Sequence, residues 1–95
     1  MMYATIRIYS HSEGLADAVS ENRAEIVDLF EGVSGFRGYY MVKTGAASAA
    51  SITVYEDQAG AEASTQIASD WIAANLRNLA ISPPQVLVGE VAMNA

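Results

Sequence analysis

Alternation of residue type between Tyr3 and Tyr9 is the feature that most constrains the fold of this chain. Aliphatic side chains alternate there with polar or aromatic ones, and the same alternation recurs from Ser48 to Glu56. A period of two predicts β-strands that turn one face to a core and the other away from it. We expect the core face of the first strand to be Ala4, Ile6 and Ile8, and the opposite face to be Tyr3, Thr5, Arg7 and Tyr9.

The remaining segments complete an alternation of strands and helices. A period near 3.6 predicts a helix from Ser12, a candidate N-cap, to Val33, ended by Ser34-Gly35. A hairpin of Phe36 to Thr44 and Ser48 to Glu56 follows, then a helix from the N-cap Asp57 to about Leu79, and a strand at 86–91 after Pro83-Pro84. The order βαββαβ predicts an α+β, ferredoxin-like fold: an antiparallel four-stranded sheet with two helices on one face.

Composition limits the classes of function. The 95 residues suffice for a single domain spanning 1–95, and 52% hydrophobic residues predict a folded core. A net charge of -6 disfavours nucleic acid as a partner. No apolar run is long enough to cross a membrane and no secretory signal begins the chain, so we expect a cytoplasmic protein without membrane contact. With no cysteine and one histidine, we expect no metal site.

The predicted fold leaves one sheet face without helices, and an uncovered face favours association. We expect a homodimer formed through this face. Arg7 on this face is best explained by an ion pair with Glu90. The face is predicted to carry Tyr3, Thr5, Arg7, Tyr9, Ser51, Thr53 and Tyr55.

Polar residues inside the apolar helix stripes indicate a ligand pocket between the helices and the sheet. Asn75 falls one turn beyond Trp71, near the small Ser64 and Ala68, and Asn22 falls within the stripe of the first helix. The alternative is that both amides bond to backbone groups or water and that Trp71 only fills the core. His11 would be an acid or base if its loop bordered the pocket, and is otherwise a solvated loop residue.

Three parts of the chain resemble the antibiotic biosynthesis monooxygenase family of the dimeric α/β-barrel superfamily. They are the stretch from Val33 to Tyr40 (VSGFRGYY), the stretch from Val54 to Asp57 (VYED), and Trp71. The resemblance implies a dimeric α/β barrel whose pocket lies between helices and sheet. Studied members oxidise quinone-type or porphyrin substrates with O2 and no metal or flavin, and an asparagine and a tryptophan help to hold the substrate. Trp71 matches the family's helix tryptophan by element, and Tyr40 lies in the first matching stretch. With Asn75, Asn22, Ser64 and His11 from the pocket argument above, they are the candidate ligand-binding residues, and no cofactor is expected.

The sequence departs from the haem-degrading members of that family. Their first-strand asparagine is missing, and no histidine follows the second helix to ligate iron. Our leading hypothesis is a dimer that binds a small, flat, largely apolar molecule and oxygenates it without a cofactor. The alternatives are a non-catalytic ligand-binding or stress-associated dimer and an interaction module with a solid interior.

Overall fold

A computed structural model describes all residues, 1–95, and confirms the predicted α+β, ferredoxin-like fold. Four antiparallel strands form one sheet in the order β2-β3-β1-β4, which is the order that two crossing connections give a βαββαβ chain. The elements are β1 (Tyr3–Tyr9), α1 (Leu15–Glu21), α2 (Arg23–Glu31), β2 (Phe36–Gly45), β3 (Ser48–Tyr55), α3 (Gln58–Asn75) and β4 (Gln85–Glu90).

The helices differ from the predicted ones at their ends. The first predicted helix is interrupted at Asn22, whose φ of -111° and ψ of 30° are not helical, so it forms two helices, α1 and α2. Ser12 is not its N-cap: Gly14 takes that position with φ 86°, and the buried Ser12 hydroxyl donates to the Tyr9 carbonyl. The cap at Asp57 is confirmed, since its carboxylate accepts from the Gly60 N–H at 2.8 Å.

The two faces of the sheet are the reverse of the prediction. Thr5, Arg7 and Tyr9 point toward the helices and are buried, whereas Ile6 and Ile8 are each 37% exposed on the other side. Alternation assigned the residues to two faces correctly, but it carries no information about which face the helices cover. Strand pairing extends the uncovered face, here called the outer sheet face, across all four strands: Ala4, Ile6, Ile8, Gly38, Tyr40, Val42, Ala50, Ile52, Val54, Gln85, Leu87 and Gly89.

The core lies between the inner sheet face and all three helices. Leu15 and Val19 come from α1, Ile26 and Phe30 from α2, and Trp71 from α3. Helix α3 lies close to the sheet at Gly60, where a Cβ would come within 2.7 Å of the Tyr55 ring, so only glycine fits. None of the helices is long and apolar enough to cross a membrane.

Candidate functional site

A buried arginine lies at the centre of the inner sheet face. The Arg7 side chain is 0% exposed and extends from the central strand β1 toward α3. Its Nε donates to the Ser51 hydroxyl at 3.0 Å, and Nη1 donates to Ser64 at 3.0 Å and Thr65 at 3.2 Å. Nη2 donates to the Thr53 hydroxyl. We call Arg7 and these four hydroxyl residues the Arg7 network.

The charge of Arg7 has no carboxylate partner. Neither of the two ion pairs in the structure, Arg37–Glu56 and Lys43–Asp17, includes it, and every Asp and Glu of the chain is exposed. The predicted pair with Glu90 is wrong, because the strand register places Arg7 opposite Val86. Neutral hydroxyls therefore accept four hydrogen bonds from the guanidinium without cancelling its charge. A buried charge without a counter-ion is costly, and such groups concentrate at functional sites.

Aromatic rings surround this cation. Arg7 Cζ lies 5.9 Å from the centroid of the Phe30 ring, within cation–π distance. Burial lowers the pKa of Arg7, although its interactions with Tyr9, Tyr39 and Tyr55 oppose that change. Burial raises the pKa of Tyr9, and raises the pKa of Tyr39 and of Tyr55 to about 12, against the opposing effect of Arg7. The phenols are thus neutral at physiological pH, and the arginine is the charged group among them.

A groove of about 420 Å³ opens above the Arg7 network, between the C-terminal half of α3, the segment 76–84 and β4. Arg7, Tyr9 and Thr65 form its polar end, while Ile72, Leu76, Leu79, Ile81 and Val86 supply apolar walls. No aspartate or glutamate lines it, yet two of the chain's five cationic residues, Arg7 and Arg77, do. We call this the α3–β4 groove; the remaining lining residues are Ser69, Ala73, Ser82, Pro83 and Pro84.

The space beside Trp71, where the sequence predicted the pocket, is nearly filled. The cavity there has a volume of about 20 Å³, room for roughly one water molecule, and only hydrophobic residues line it. Trp71 is 5% exposed, and its indole N–H donates to the Glu25 carboxylate at 2.9 Å. Trp71 is thus part of the core, and the larger opening lies on the far side of Tyr9, which borders both spaces.

The predicted inward positions of Asn22 and Asn75 are wrong, because both residues are exposed. Asn22 Nδ2 donates to the Ala18 carbonyl at 2.7 Å, and Asn75 Nδ2 donates to the Trp71 carbonyl at 2.9 Å. Both amides thus bond to backbone carbonyls, as the alternative interpretation predicted. Asn75 ends α3, and the chain turns back toward β4, so Leu76 occupies the buried position instead.

The other three predicted site residues lie in three different places. Ser64 is buried within the Arg7 network and donates to the Ala61 carbonyl at 2.6 Å. His11 is exposed outside the α3–β4 groove, and its carbonyl accepts from the Ser82 N–H. Tyr40 is 64% exposed on the outer sheet face, away from the helices. The six predicted site residues therefore do not share one cavity. A ligand-binding role for them stays a prediction.

Sequence reasoning missed Thr65 and gave Arg7 and Tyr9 to the wrong face. A signal was present: an arginine between isoleucines on a central strand, with serine and threonine at alternate positions of a second strand. That pattern is typical of a buried cation held by hydroxyls once the face is known. The structure also contains no group of three or more His, Cys, Asp or Glu residues that could hold a metal ion.

Comparison with known proteins identifies solved structures that share this fold. No family profile and no curated protein matches the chain. Solved structures do match over nearly their whole length, among them a protein of unknown function from Nitrosomonas europaea, with 22% identity, a TM-score of 0.71, and coverage of 100% of this chain and 94% of that one. The fold is that of the antibiotic biosynthesis monooxygenase-like proteins, as the sequence resemblance predicted.

Particular neighbours have described activities or ligands of their own. SnoaB from Streptomyces nogalater, a cofactor-independent oxygenase, is 13% identical with a TM-score of 0.67, covering 98% of this chain and 95% of SnoaB. MhuD, solved with two manganese protoporphyrin IX molecules per active site, is 18% identical with a TM-score of 0.68, covering 98% of this chain and 97% of MhuD. A proposed antibiotic biosynthesis monooxygenase from Bordetella bronchiseptica is 18% identical with a TM-score of 0.71, covering 97% and 98%. At these identities the likeness concerns the fold.

Proposed function

We propose that this protein binds a small, flat, largely apolar aromatic molecule in the α3–β4 groove and oxygenates it with O2, without a cofactor. The observation that carries the proposal is the groove itself, which combines apolar walls with a buried, unpaired guanidinium at one end. Concave, mostly apolar sites with a few convergent polar groups are the usual form of small-molecule sites. The fold shared with a cofactor-independent oxygenase supports the choice of reaction.

The reaction needs an electron-rich substrate anion rather than a metal. An aromatic molecule whose ring CH2 group loses a proton to give an enolate or phenolate can give an electron to O2. Recombination of the carbon radical with superoxide forms a C–O bond, and return of the proton completes the hydroperoxide. Loss of water then leaves a carbonyl, so that a CH2 group and O2 become C=O and H2O. The positive charge of Arg7 favours the deprotonated substrate, because a nearby cation lowers the pKa of an acid. The groove walls hold the ring and limit the access of water.

Oxygen uptake with a panel of phenolic molecules that carry a ring CH2 group conjugated to the ring oxygen tests the proposal. We expect uptake of one O2 per product and no return of oxygen when catalase is added, because the second oxygen atom leaves as water. The Ala73→Trp variant should abolish uptake, since Ala73 lines the groove and a large ring there fills it. The matched control is Ala74→Trp, which places the same ring on the next exposed position of α3, outside the groove.

The outcomes separate the two leading hypotheses. Uptake that survives Ala73→Trp would contradict the assignment of the groove. Binding that Ala73→Trp abolishes, without uptake by the parent protein, would favour the non-catalytic ligand-binding alternative.

We also infer that a second copy of the chain covers the outer sheet face. None of the residues on this face carries a charge, and Gln85 is the only amide among them. Tyr40, Val42 and Leu87 are 64%, 44% and 48% exposed there. Soluble monomers rarely leave a contiguous apolar patch of this kind uncovered, and a symmetric dimer buries such a patch against itself.

A further inference from the structure

The Thr65 hydroxyl accepts a hydrogen bond from the protein, and its own proton is free to donate. Its oxygen accepts from Arg7 Nη1 at 3.2 Å, and no hydrogen bond in the structure uses it as a donor. A threonine in a helix commonly donates to the carbonyl four residues earlier. Here that carbonyl, of Ala61, already accepts from the hydroxyls of Thr5 and Ser64. The Thr65 proton is therefore available to a group in the α3–β4 groove, which Thr65 lines.

This arrangement carries the charge of Arg7 to the groove. Arg7 is completely buried and four of its five N–H groups donate to hydroxyls of the Arg7 network, of which the Thr65 hydroxyl connects it to the groove. Donation from a cation polarises the hydroxyl and strengthens the bond that the hydroxyl itself donates. Of the four hydroxyls in the Arg7 network, only that of Thr65 lines the groove. Tyr9 also lines the groove, and its phenol is neutral because burial raises its pKa.

The charges around the groove favour an anion. The chain has a net charge of -6, yet the groove is lined by Arg7 and Arg77 and by no carboxylate. Arg77 is exposed at the rim, where it attracts an approaching anion through solvent. A cleft of one sign with apolar walls concentrates ions of the opposite sign. A neutral quinone would gain little from this arrangement, whereas an ionised ring oxygen would gain a charge-assisted hydrogen bond.

We propose that the α3–β4 groove selects aromatic molecules bound as ring-oxygen anions, phenolate or enolate, with Thr65 donating to the anionic oxygen and Arg7 polarising that hydroxyl from beneath. This selectivity rests on the proposed function, for it names the substrate class of the same groove. Thr65 contacts the ligand, and Arg7 is a positioning residue that acts through it.

Binding of 4-nitrophenol tests the proposal directly, since its phenolate absorbs visible light and its neutral form does not. At a pH below its ionisation in water, adding protein should produce the phenolate absorbance, because the groove lowers the pKa of the bound phenol. We expect the phenolate to bind about tenfold or more tightly than 4-nitroanisole, in which a methyl group blocks the oxygen, as a hydrogen bond to a charged group predicts. The carboxylate 4-nitrobenzoate should bind more weakly than the phenolate.

Variants separate a ligand contact from a structural role. Thr65→Val keeps the shape of the side chain and removes its hydroxyl, and should lose most of the preference for phenolate over 4-nitroanisole. Thr44→Val is the matched control on the exposed end of β2, and should keep the preference. Arg7→Met should shift the pKa of the bound phenol toward its value in water. If that variant does not fold, Thr65→Val alone still decides the matter.

Three results would overturn the inference, and they differ from failure of the proposed function. They are equal binding of phenolate and 4-nitroanisole, an unchanged preference in Thr65→Val, and tighter binding of 4-nitrobenzoate. In each case the groove could still bind aromatic molecules and Ala73→Trp could still block them. Binding of 4-nitroanisole that Ala73→Trp does not affect would instead remove the groove as the site.

Discussion

At the scale of single residues, the interior of this protein is organised around one charge. Arg7 is the only charged residue among those that are buried, and it is held by hydroxyls with no counter-ion. An uncompensated cation usually favours ionisation of neighbouring acids, yet the pKa of Tyr39 and of Tyr55 is raised to about 12. Desolvation is the larger cause and the interaction with Arg7 only opposes it, so these phenols keep their protons.

These raised pKa values predict a loss of stability in alkali. Between pH 10, where tyrosines of the unfolded chain ionise, and about 12, the unfolded chain releases protons that the folded chain retains. The stabilisation is complete below pH 10 and is lost as the pH rises through this range. Each such tyrosine lowers the free energy of unfolding by up to about 1.4 kcal/mol per pH unit. Urea midpoints measured across this range should therefore fall.

Substitution of the two tyrosines separates titration from bonding. Tyr39→Phe should make the fall with pH shallower, because the variant has one fewer group that titrates. Tyr55→Phe should do the same and also cost about 1 to 3 kcal/mol below pH 10, because the Phe30 carbonyl loses its buried donor. A slope that neither variant changes would contradict the assigned pKa shifts.

At the scale of elements, the sequence predicts the number and order of the strands well, but it does not predict which face of the sheet the helices cover. The strand bounds of β1 to β4 agree with the predicted ones within a residue at each end, because alternation and turn residues are local signals. The face that the helices cover depends on tertiary packing, and β1 breaks the usual rule by turning Thr5 and Arg7 inward. The inward positions predicted for Asn22 and Asn75 are wrong for a related reason. A helical wheel assumes an uninterrupted helix that packs against the core along its whole length, and both residues lie where a helix ends.

The outer sheet face gives a prediction at this scale. Light scattering at micromolar concentration should give about twice the monomer mass of 10.1 kDa. Ile6→Lys should yield a monomer, because it puts a charge in the centre of the apolar face, opposite Ile52 and Leu87. The control is Leu29→Lys on α2, which is 41% exposed where Ile6 is 37% exposed, and should leave the mass of the parent unchanged. A monomeric parent protein would contradict the inferred assembly.

At the scale of the whole molecule, two different surfaces follow from one sheet. Its outer face is apolar and uncharged, which suits a second copy, and its inner face holds the Arg7 network, which borders the α3–β4 groove. The resemblance in sequence predicted the fold, but none of the residues that carry the resemblance lines the groove. Three of its apolar wall residues, Leu76, Leu79 and Ile81, come from the segment 76–84, whose irregular path no periodic signal predicts.

The central claim is that this groove holds the ligand with an anionic oxygen at Thr65. The most direct measurement is the crystal structure of a complex with 6-bromo-2-naphthol, because anomalous scattering locates the bromine independently of the fitted ring. We predict a bromine peak in the α3–β4 groove, with the naphthol oxygen within hydrogen-bonding distance of Thr65 Oγ1. A peak only on the outer sheet face, or a ring in the groove with its oxygen turned toward solvent, would contradict the account.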